Sequence, residues 1–309
     1  MSEIHFAAAE LKSRLTADEP FRTVLKHGDA SAVIYAPKEI DQQSAHGQAE
    51  IYVVISGRGR LRIGWQDIAF TAGDLLYVDA GIKHRFEDFD ADLAVWAVFF
   101  GPSIVGKHTF QQGTVSGDAT ISQDTDTFPA KWSSTDGAPL AGVGFARPGH
   151  VAFARAPGEV GGWPGFVEYR WDNDHLMARW TLPTALHGAI ACGRATLVEG
   201  DGPGFAGRFH IQYLDATGKK FGDPYDLSIT GSGPVRTLEW QTSGKTAFVG
   251  VGLVVDHVLV AAWAPPDVSG LEVADYLLPR SGEPASMPGR YVRFGASASG
   301  SEDITLVLP

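Results

Sequence analysis

From Phe21 onward the chain alternates short apolar and polar runs, and glycine interrupts them at intervals too short for helices. Ser31–Tyr35, Ile51–Ile55, Arg60–Ile63, Leu75–Val78 and Leu93–Phe100 are rich in β-branched and aromatic residues, which predicts strands. Gly57, Gly59, Gly64, Gly73 and Gly81 fall where turns are needed between them. The one helical stretch is Ala7–Leu15, whose good helix formers give out at Thr16-Ala17-Asp18-Glu19-Pro20. Gly101-Pro102 ends the last strand of this block, and a Ser/Thr/Asp-rich stretch runs from Gly113 to Thr127. A domain boundary is expected near residue 104, giving a first domain of 1–104 and a second of 105–309.

The second part carries a weak internal repeat. Trp132 aligns with Trp240, 108 residues on, and at the same offset Gly142-Val143-Gly144 falls on Gly250-Val251-Gly252. Ile121 falls on Ile229, Ala154 on Ala262, Ala156-Pro157 on Ala264-Pro265, and Gly162 on Gly270. Asp172–Trp180 echoes Asp256–Trp263 as a further hairpin. The recurring unit is a Trp-ended strand, a glycine-rich strand, a turn, and an apolar strand closed by proline. Repeat halves of about 113–198 and 221–307 predict an antiparallel sandwich, one larger closed sheet or two related β-barrels, because closure removes exposed edges. The rhythm loosely resembles avidin-like and lipocalin-like barrels and names no ligand. The whole chain therefore reads as all-β.

Composition removes several function classes. Hydrophobic residues make up 44% and charged residues 20% of 309 positions, as in ordinary soluble domains, and 37 glycines with 18 prolines suit strands joined by tight turns. A formal net charge of −11 without clustered Lys and Arg argues against nucleic acid. Cys192 is the only cysteine and cannot form an intramolecular disulfide. Neither a signal-like apolar stretch in Met1–Arg14 nor a run of roughly 18 apolar residues is present, so no membrane partner and a cytoplasmic address are expected.

The chemistry concentrates between His46 and Asp88. In a strand, Ser44, His46, Gln48 and Glu50 share one face. A row of hydroxyl, imidazole, amide and carboxylate inside a barrel is costly unless something compensates it. A divalent cation does so, since imidazole nitrogen and carboxylate oxygen suit Fe, Mn, Ni, Cu or Zn. His84 follows the turn Asp79-Ala80-Gly81 and supplies a further imidazole. Tyr52 continues the inward parity of Glu50, and Phe86 that of His84; with Trp96 on the last strand they form a candidate pocket wall beside Ser44 and Gln48. Ordinary core packing accounts for the same residues.

These motifs resemble the two-part signature of the cupin family: His46-Gly47-Gln48-Ala49-Glu50, six residues, Gly57, and then Gly73 to His84. The run His84-Arg85-Phe86-Glu87-Asp88-Phe89 and the ending Phe99-Phe100-Gly101-Pro102 are similar to those of small bacterial single-domain cupins. The likeness covers about Phe21 to Pro102 and implies a double-stranded β-helix, or jelly roll, with His46, Glu50 and His84 as metal ligands. Ser44 stands where the family has its first histidine, Asp79 replaces the proline of the second motif, and Asp88 its terminal asparagine. What remains has the composition of a 2-His-1-carboxylate triad with open positions. The resemblance implies metal-dependent chemistry on a small organic molecule, as oxygenase or as isomerase or lyase, with Glu50 or Gln48 steering protons, and a homodimer. Alternatively the lost ligand leaves a metal-free pocket and a non-enzymatic small-molecule binder with a ligand- or partner-binding barrel, or the three side chains merely satisfy one another.

Other signals are weak. Asp172-Asn173-Asp174-His175 reads as a hairpin turn, and His150 and His257 are expected exposed near turns. Gly200-Asp201-Gly202-Pro203-Gly204 leads into no helix and predicts no phosphate site. Cys192 is expected buried and inert. Trp132, Trp163, Trp171, Trp180, Trp240 and Trp263 suit barrel-core packing or a hydrophobic or carbohydrate surface.

Overall fold

The computed structural model describes residues 5–135, 137–158, 164–200, 204–280 and 283–307. Met1–Ile4 of the leading segment, Gly162, Trp163 and Asp201-Gly202-Pro203 lie outside the described residues. Among the described residues, helix is confined to α1, Ala8–Lys12, and α2, Pro183–Leu186. Two compact units emerge: residues 1–104 with 146–149 and 279–284, and the rest of the chain.

The first unit is a jelly roll of eight strands. They are β1 (Phe21–His27), β2 (Ala30–Tyr35), β3 (Ala49–Ser56), β4 (Arg58–Ile63), β5 (Gln66–Thr71), β6 (Leu75–Val78), β7 (His84–Glu87) and β8 (Ala94–Phe100). One sheet runs β1-β2-β8-β3-β6 and the other β5-β4-β7. Alternation fixes the faces: in β3, Glu50, Tyr52 and Val54 are buried while Val53 is exposed, and in β6 Leu76 and Val78 are buried while Leu75 and Tyr77 are exposed. Across the other sheet Leu61 pairs with Phe86, both fully buried or nearly so, each stabilising the fold by roughly 1.5–3 kcal/mol. Tyr35, Tyr52 and Phe70 ring Phe86 at centroid distances of 6.4, 5.0 and 5.3 Å. His84 and Glu50 thus come from opposite sheets and project into the space between them.

The second unit begins with β9 (Gly106–Gln112), β10 (Val115–Ile121), β11 (Phe128–Ser134), β12 (Leu140–Arg147) and β13 (His150–Pro157). Then come β14 (Gly165–Asp172), β15 (His175–Thr181), β16 (Ala191–Gly200), β17 (Gly207–Tyr213), β18 (Tyr225–Thr230), β19 (Val235–Thr242), β20 (Lys245–Val255) and β21 (Val258–Ala264). The last three are β22 (Glu272–Leu277), β23 (Ser286–Arg293) and β24 (Gly300–Leu306). These strands close two eight-stranded antiparallel barrels. One consists of β14 to β21 in unbroken order; the other joins β9–β13 to β22–β24, with β24 pairing back onto β9. The nested barrel is therefore an insertion between β13 and β22 of the outer one. The halves 113–198 and 221–307 do not each close a barrel, because the closing partners of β9–β13 lie beyond the insertion.

Register explains the repeat. Ala154 pairs with Val273 in the outer barrel and Ala262 with Phe166 in the nested one, so β10–β13 correspond to β18–β21, and β22 and β23 to β14 and β15. Tyr276 then matches Tyr169, and both are fully buried. The outer surfaces of the two barrels share one apolar cluster that includes Phe145, Ala152 and Val273 from one and Phe166, Val251 and Val260 from the other. His150, expected near the surface, is buried on this seam: Nδ1 meets Asp275 at 2.9 Å and Nε2 meets Asp256 at 3.0 Å. His257 is exposed, Asn173 and Asp174 form the expected turn, and Cys192, expected buried, is only partly so. Among the described residues, no helix is long and apolar enough to cross a membrane.

Candidate metal centre

The site is built by three segments that backbone bonds lock together. Gly81, in the left-handed region at φ 77°, donates its N–H to the His46 carbonyl at 2.5 Å. The turn that launches β7 therefore also fixes the loop carrying His46. Asp41, buried, anchors the start of that loop. Its carboxylate accepts the Gln43 N–H at 3.0 Å, the Gln43 amide at 2.7 Å, the Tyr35 hydroxyl at 2.5 Å and the Phe86 N–H at 2.7 Å. Burial, and then the Asp41 charge, hold the Tyr35 phenol well above its ordinary pKa, so it remains a donor.

The ligand-type atoms of His46, Glu50 and His84 all lie within 4.8 Å of one another. His46 Nε2 is 3.7 Å and His84 Nε2 3.3 Å from Glu50 Oε2. Glu50 and His84 side chains are 2% and 1% exposed, whereas that of His46 is 27% exposed although its Nε2 is buried. Desolvation lowers the His46 pKa to about 4, with Glu50 opposing and His84 adding to the shift. The imidazole is thus neutral near pH 7 and keeps a lone pair available.

Counting protons exposes what the cluster lacks. His84 Nδ1 lies 2.7 Å from the Ile82 carbonyl, which can only accept, so Nδ1 carries the hydrogen and Nε2 of the neutral ring is an acceptor. The Tyr52 hydroxyl lies 2.9 Å from that Nε2 and 2.8 Å from Gln43 Oε1, and its one proton serves only one of them. Burial, then the nearby Glu50 charge, keep Tyr52 un-ionised. Among the described residues, His46 Nε2 and Glu50 Oε2 have no hydrogen-bond partner. Acceptors outnumber donors in a nearly dry place, and either an added proton or a cation corrects the imbalance. A cation on the two Nε2 atoms and the carboxylate also frees Tyr52 to serve Gln43, so the donor set fits a divalent metal.

Not every sequence-predicted site residue is here. Tyr52 and Phe86 line the interior as expected. Gln48 does not: residues 41–48 precede β3, so strand alternation does not govern them, and the Gln48 amide donates to the Asp29 carbonyl at 2.7 Å and the Gly101 carbonyl at 2.9 Å. Ser44 is half-buried in the same loop. Trp96 is on the wrong face. In β8, Ala97 and Phe99 oppose Tyr52 and Glu50, whereas Trp96 opposes the exposed Val53. Phe99 takes the place expected of Trp96, its ring 5.0 Å from His46. Asp41, Gln43 and Tyr35 were missed altogether. A buried Asp two residues before a Gln is a local signal only once the loop's carbonyl and amide partners are known.

A family profile described as Cupin domain, Cupin_2, matches residues 31–99. An uncharacterized protein of Streptomyces coelicolor, SCO3923, is 33% identical over 100 residues, which is 31% of this chain and 95% of that protein. The chain belongs to the cupin superfamily. The span matched by the profile falls within the cupin unit. A solved structure, the crystal structure of AerE from Microcystis aeruginosa, aligns over 94% of this chain and 92% of that one at 11% identity; a TM-score of 0.23 carries no argument.

Proposed function

We propose that the cupin unit holds a divalent metal ion on His46, Glu50 and His84 and acts on a small organic molecule. One observation carries the reading: two buried acceptors without partners, His46 Nε2 and Glu50 Oε2, converge with His84 Nε2 within 4.8 Å. Bound there, such an ion supplies Lewis-acid polarisation or, if redox-active, oxygen chemistry. The chain's own residues do the rest. Tyr52, neutral across the physiological range, presents a hydroxyl that holds a proton next to His84 Nε2. Asp41 keeps Gln43 facing Tyr52, so the donor does not rotate away. Phe99 packs its ring against His46 and restricts the open side to flat or small molecules. Glu50 would hold the ion through its open oxygen, Oε2.

The alternative, a metal-free binder, is supported by Ser44 and requires the missing positive charge to be a proton shared by His84 and Glu50. The test is elemental analysis of untagged protein purified without chelator, beside His46→Ala and His84→Ala. Near-stoichiometric Fe, Mn, Ni, Cu or Zn in the wild type, lost in both variants, supports the metal reading. An empty wild type that takes up no metal on reconstitution overturns it.

A further inference from the structure

The two barrels place contrasting chemistry at matching positions, and the contrast marks a second site. In the outer barrel the end of β13 presents Arg155 inward, with Glu272 beside it on β22 and Glu302 on β24. At the matching positions the nested barrel has Trp263, Gly165 and Gly193. Both carboxylates have become glycines. The glycines are what admit the rings: a Cβ on Gly165 would lie 2.3 Å from the Trp263 indole, and one on Gly193 2.8 Å from the Tyr213 ring.

The result is a cavity of about 210 Å³ whose walls include Trp180, Trp240, Trp263, Tyr213, Tyr225 and Phe248. Among the described residues no charged side chain lines it. Three of its polar groups, the Trp180 and Trp240 indole N–H groups and the Tyr213 hydroxyl, are already hydrogen-bonded. Trp180 Nε1 donates to the Cys192 and Leu214 carbonyls, each at 3.1 Å. Trp240 Nε1 donates to the Tyr213 hydroxyl at 2.9 Å, which also shares a proton with Tyr169 at 2.6 Å. Ring edges and faces, with the half-exposed Tyr225 hydroxyl at the rim, are what remain for a guest.

We propose that this aromatic cavity in the nested barrel binds a neutral, flat, largely hydrocarbon small molecule of roughly the size of a bicyclic arene. Protein interiors rarely keep voids much larger than a water, and an unfilled apolar void forfeits the dispersion contacts of its walls. An apolar cavity of about 150 Å³ admits benzene, so the larger one here admits two fused rings. A cation would find ring faces but no carboxylate to offset its lost hydration. The site is independent of the cupin metal centre.

The experiment is calorimetric titration of the full chain with 2-naphthol, a neutral bicyclic arene, and separately with tetramethylammonium. Wild-type protein is expected to bind 2-naphthol saturably at about one per chain and tetramethylammonium not at all. Tyr225→Trp, at a half-exposed rim position, narrows the cavity without deleting a wall and is expected to weaken binding at least tenfold. Trp263→Ala should do the same, and circular dichroism of Tyr225→Trp guards against misfolding. His46→Ala is expected to bind as wild type does, whatever becomes of the metal. Absence of saturation, preference for tetramethylammonium, unchanged affinity in Tyr225→Trp, or loss in His46→Ala would each overturn the proposal.

Discussion

Two buried charged clusters, one in each unit, show how differently a protein can bury ionisable groups. In the outer barrel Arg155 is 1% exposed and fully committed: Nε reaches Glu272 at 3.0 Å, and Nη1 and Nη2 reach the two oxygens of Glu302 at 2.6 and 2.7 Å. Tyr276 and Gln112 donate to Glu302, Arg293 donates to Glu272, and Arg155 stacks 5.0 Å from the Trp132 ring. Every carboxylate oxygen in the knot has a donor, and its orphan is only the neutral Trp132 indole N–H. The cupin triad is the reverse, with lone pairs in surplus and donors lacking. Depth of burial alone does not tell the two clusters apart, whereas the balance of their hydrogen-bonding groups does.

The largest test of that contrast is Arg155→Met. It strands two carboxylates in the barrel, and the expected cost is about 3–5 kcal/mol, read from urea unfolding. A cost under about 1 kcal/mol would mean that the knot is solvated and the comparison fails. For the triad the corresponding gain comes from outside: a divalent cation at about 100 times its Kd should raise stability by about 2.7 kcal/mol. His84→Ala should abolish that gain, and a gain that persists in this variant would place the metal elsewhere.

Acid should affect the triad next. The folded His46 pKa of about 4 lies below the ordinary 6.5, so in chelator-treated protein the unfolded chain binds the proton first as pH falls. Stability is therefore unaffected by this group above pH 6.5, drops between about 6.5 and 4, and levels off below. Since His46 is partly solvated, the drop should be on the order of 1–2 kcal/mol. It is measured as the difference between wild type and His46→Gln from pH 7 to 4.5, and parallel curves would refute it. The smallest effect belongs to Tyr52→Phe. Removing one shared donor should cost about 1 kcal/mol in the metal-free protein and less once metal has taken the His84 lone pair. Equal costs in both states would show that Tyr52 does not compete for that nitrogen.

Much of the cupin unit was legible because its signals are local. Glu50 and Tyr52 lie two apart on one strand, so spacing placed them on one face, and the resemblance to the cupin motifs brought His84 to them. Gln48 and Trp96 failed for related reasons. The first sits in a loop where the two-residue period does not hold, and the second required knowing which face of β8 turns inward. Asp41 was invisible because its partners Tyr35 and Phe86 are joined to it only by the fold. The knot around Arg155 was further out of reach, since Glu272 and Glu302 lie 117 and 147 residues away. The offset of 108 did capture the kinship of β10–β13 with β18–β21. It could not show that one barrel interrupts the other, because strand periodicity is identical on both sides of the insertion.

That nesting sets an order of events during synthesis. The nested barrel has all its strands once Ala264 has emerged, whereas the outer barrel must await Gly300–Leu306 before β24 can meet β9. Chain elongation at about 5–20 residues per second leaves on the order of 10–40 s between the appearance of β9 and its closing partner. For that interval β9 is an open edge, and β13 is one until β22 emerges, the hazard that a closed barrel otherwise removes. A ribosome-bound chain arrested just after Ala264 has emerged should thus carry a protease-resistant core of β14–β21 and a sensitive β9–β13, so the barrel begun second matures first.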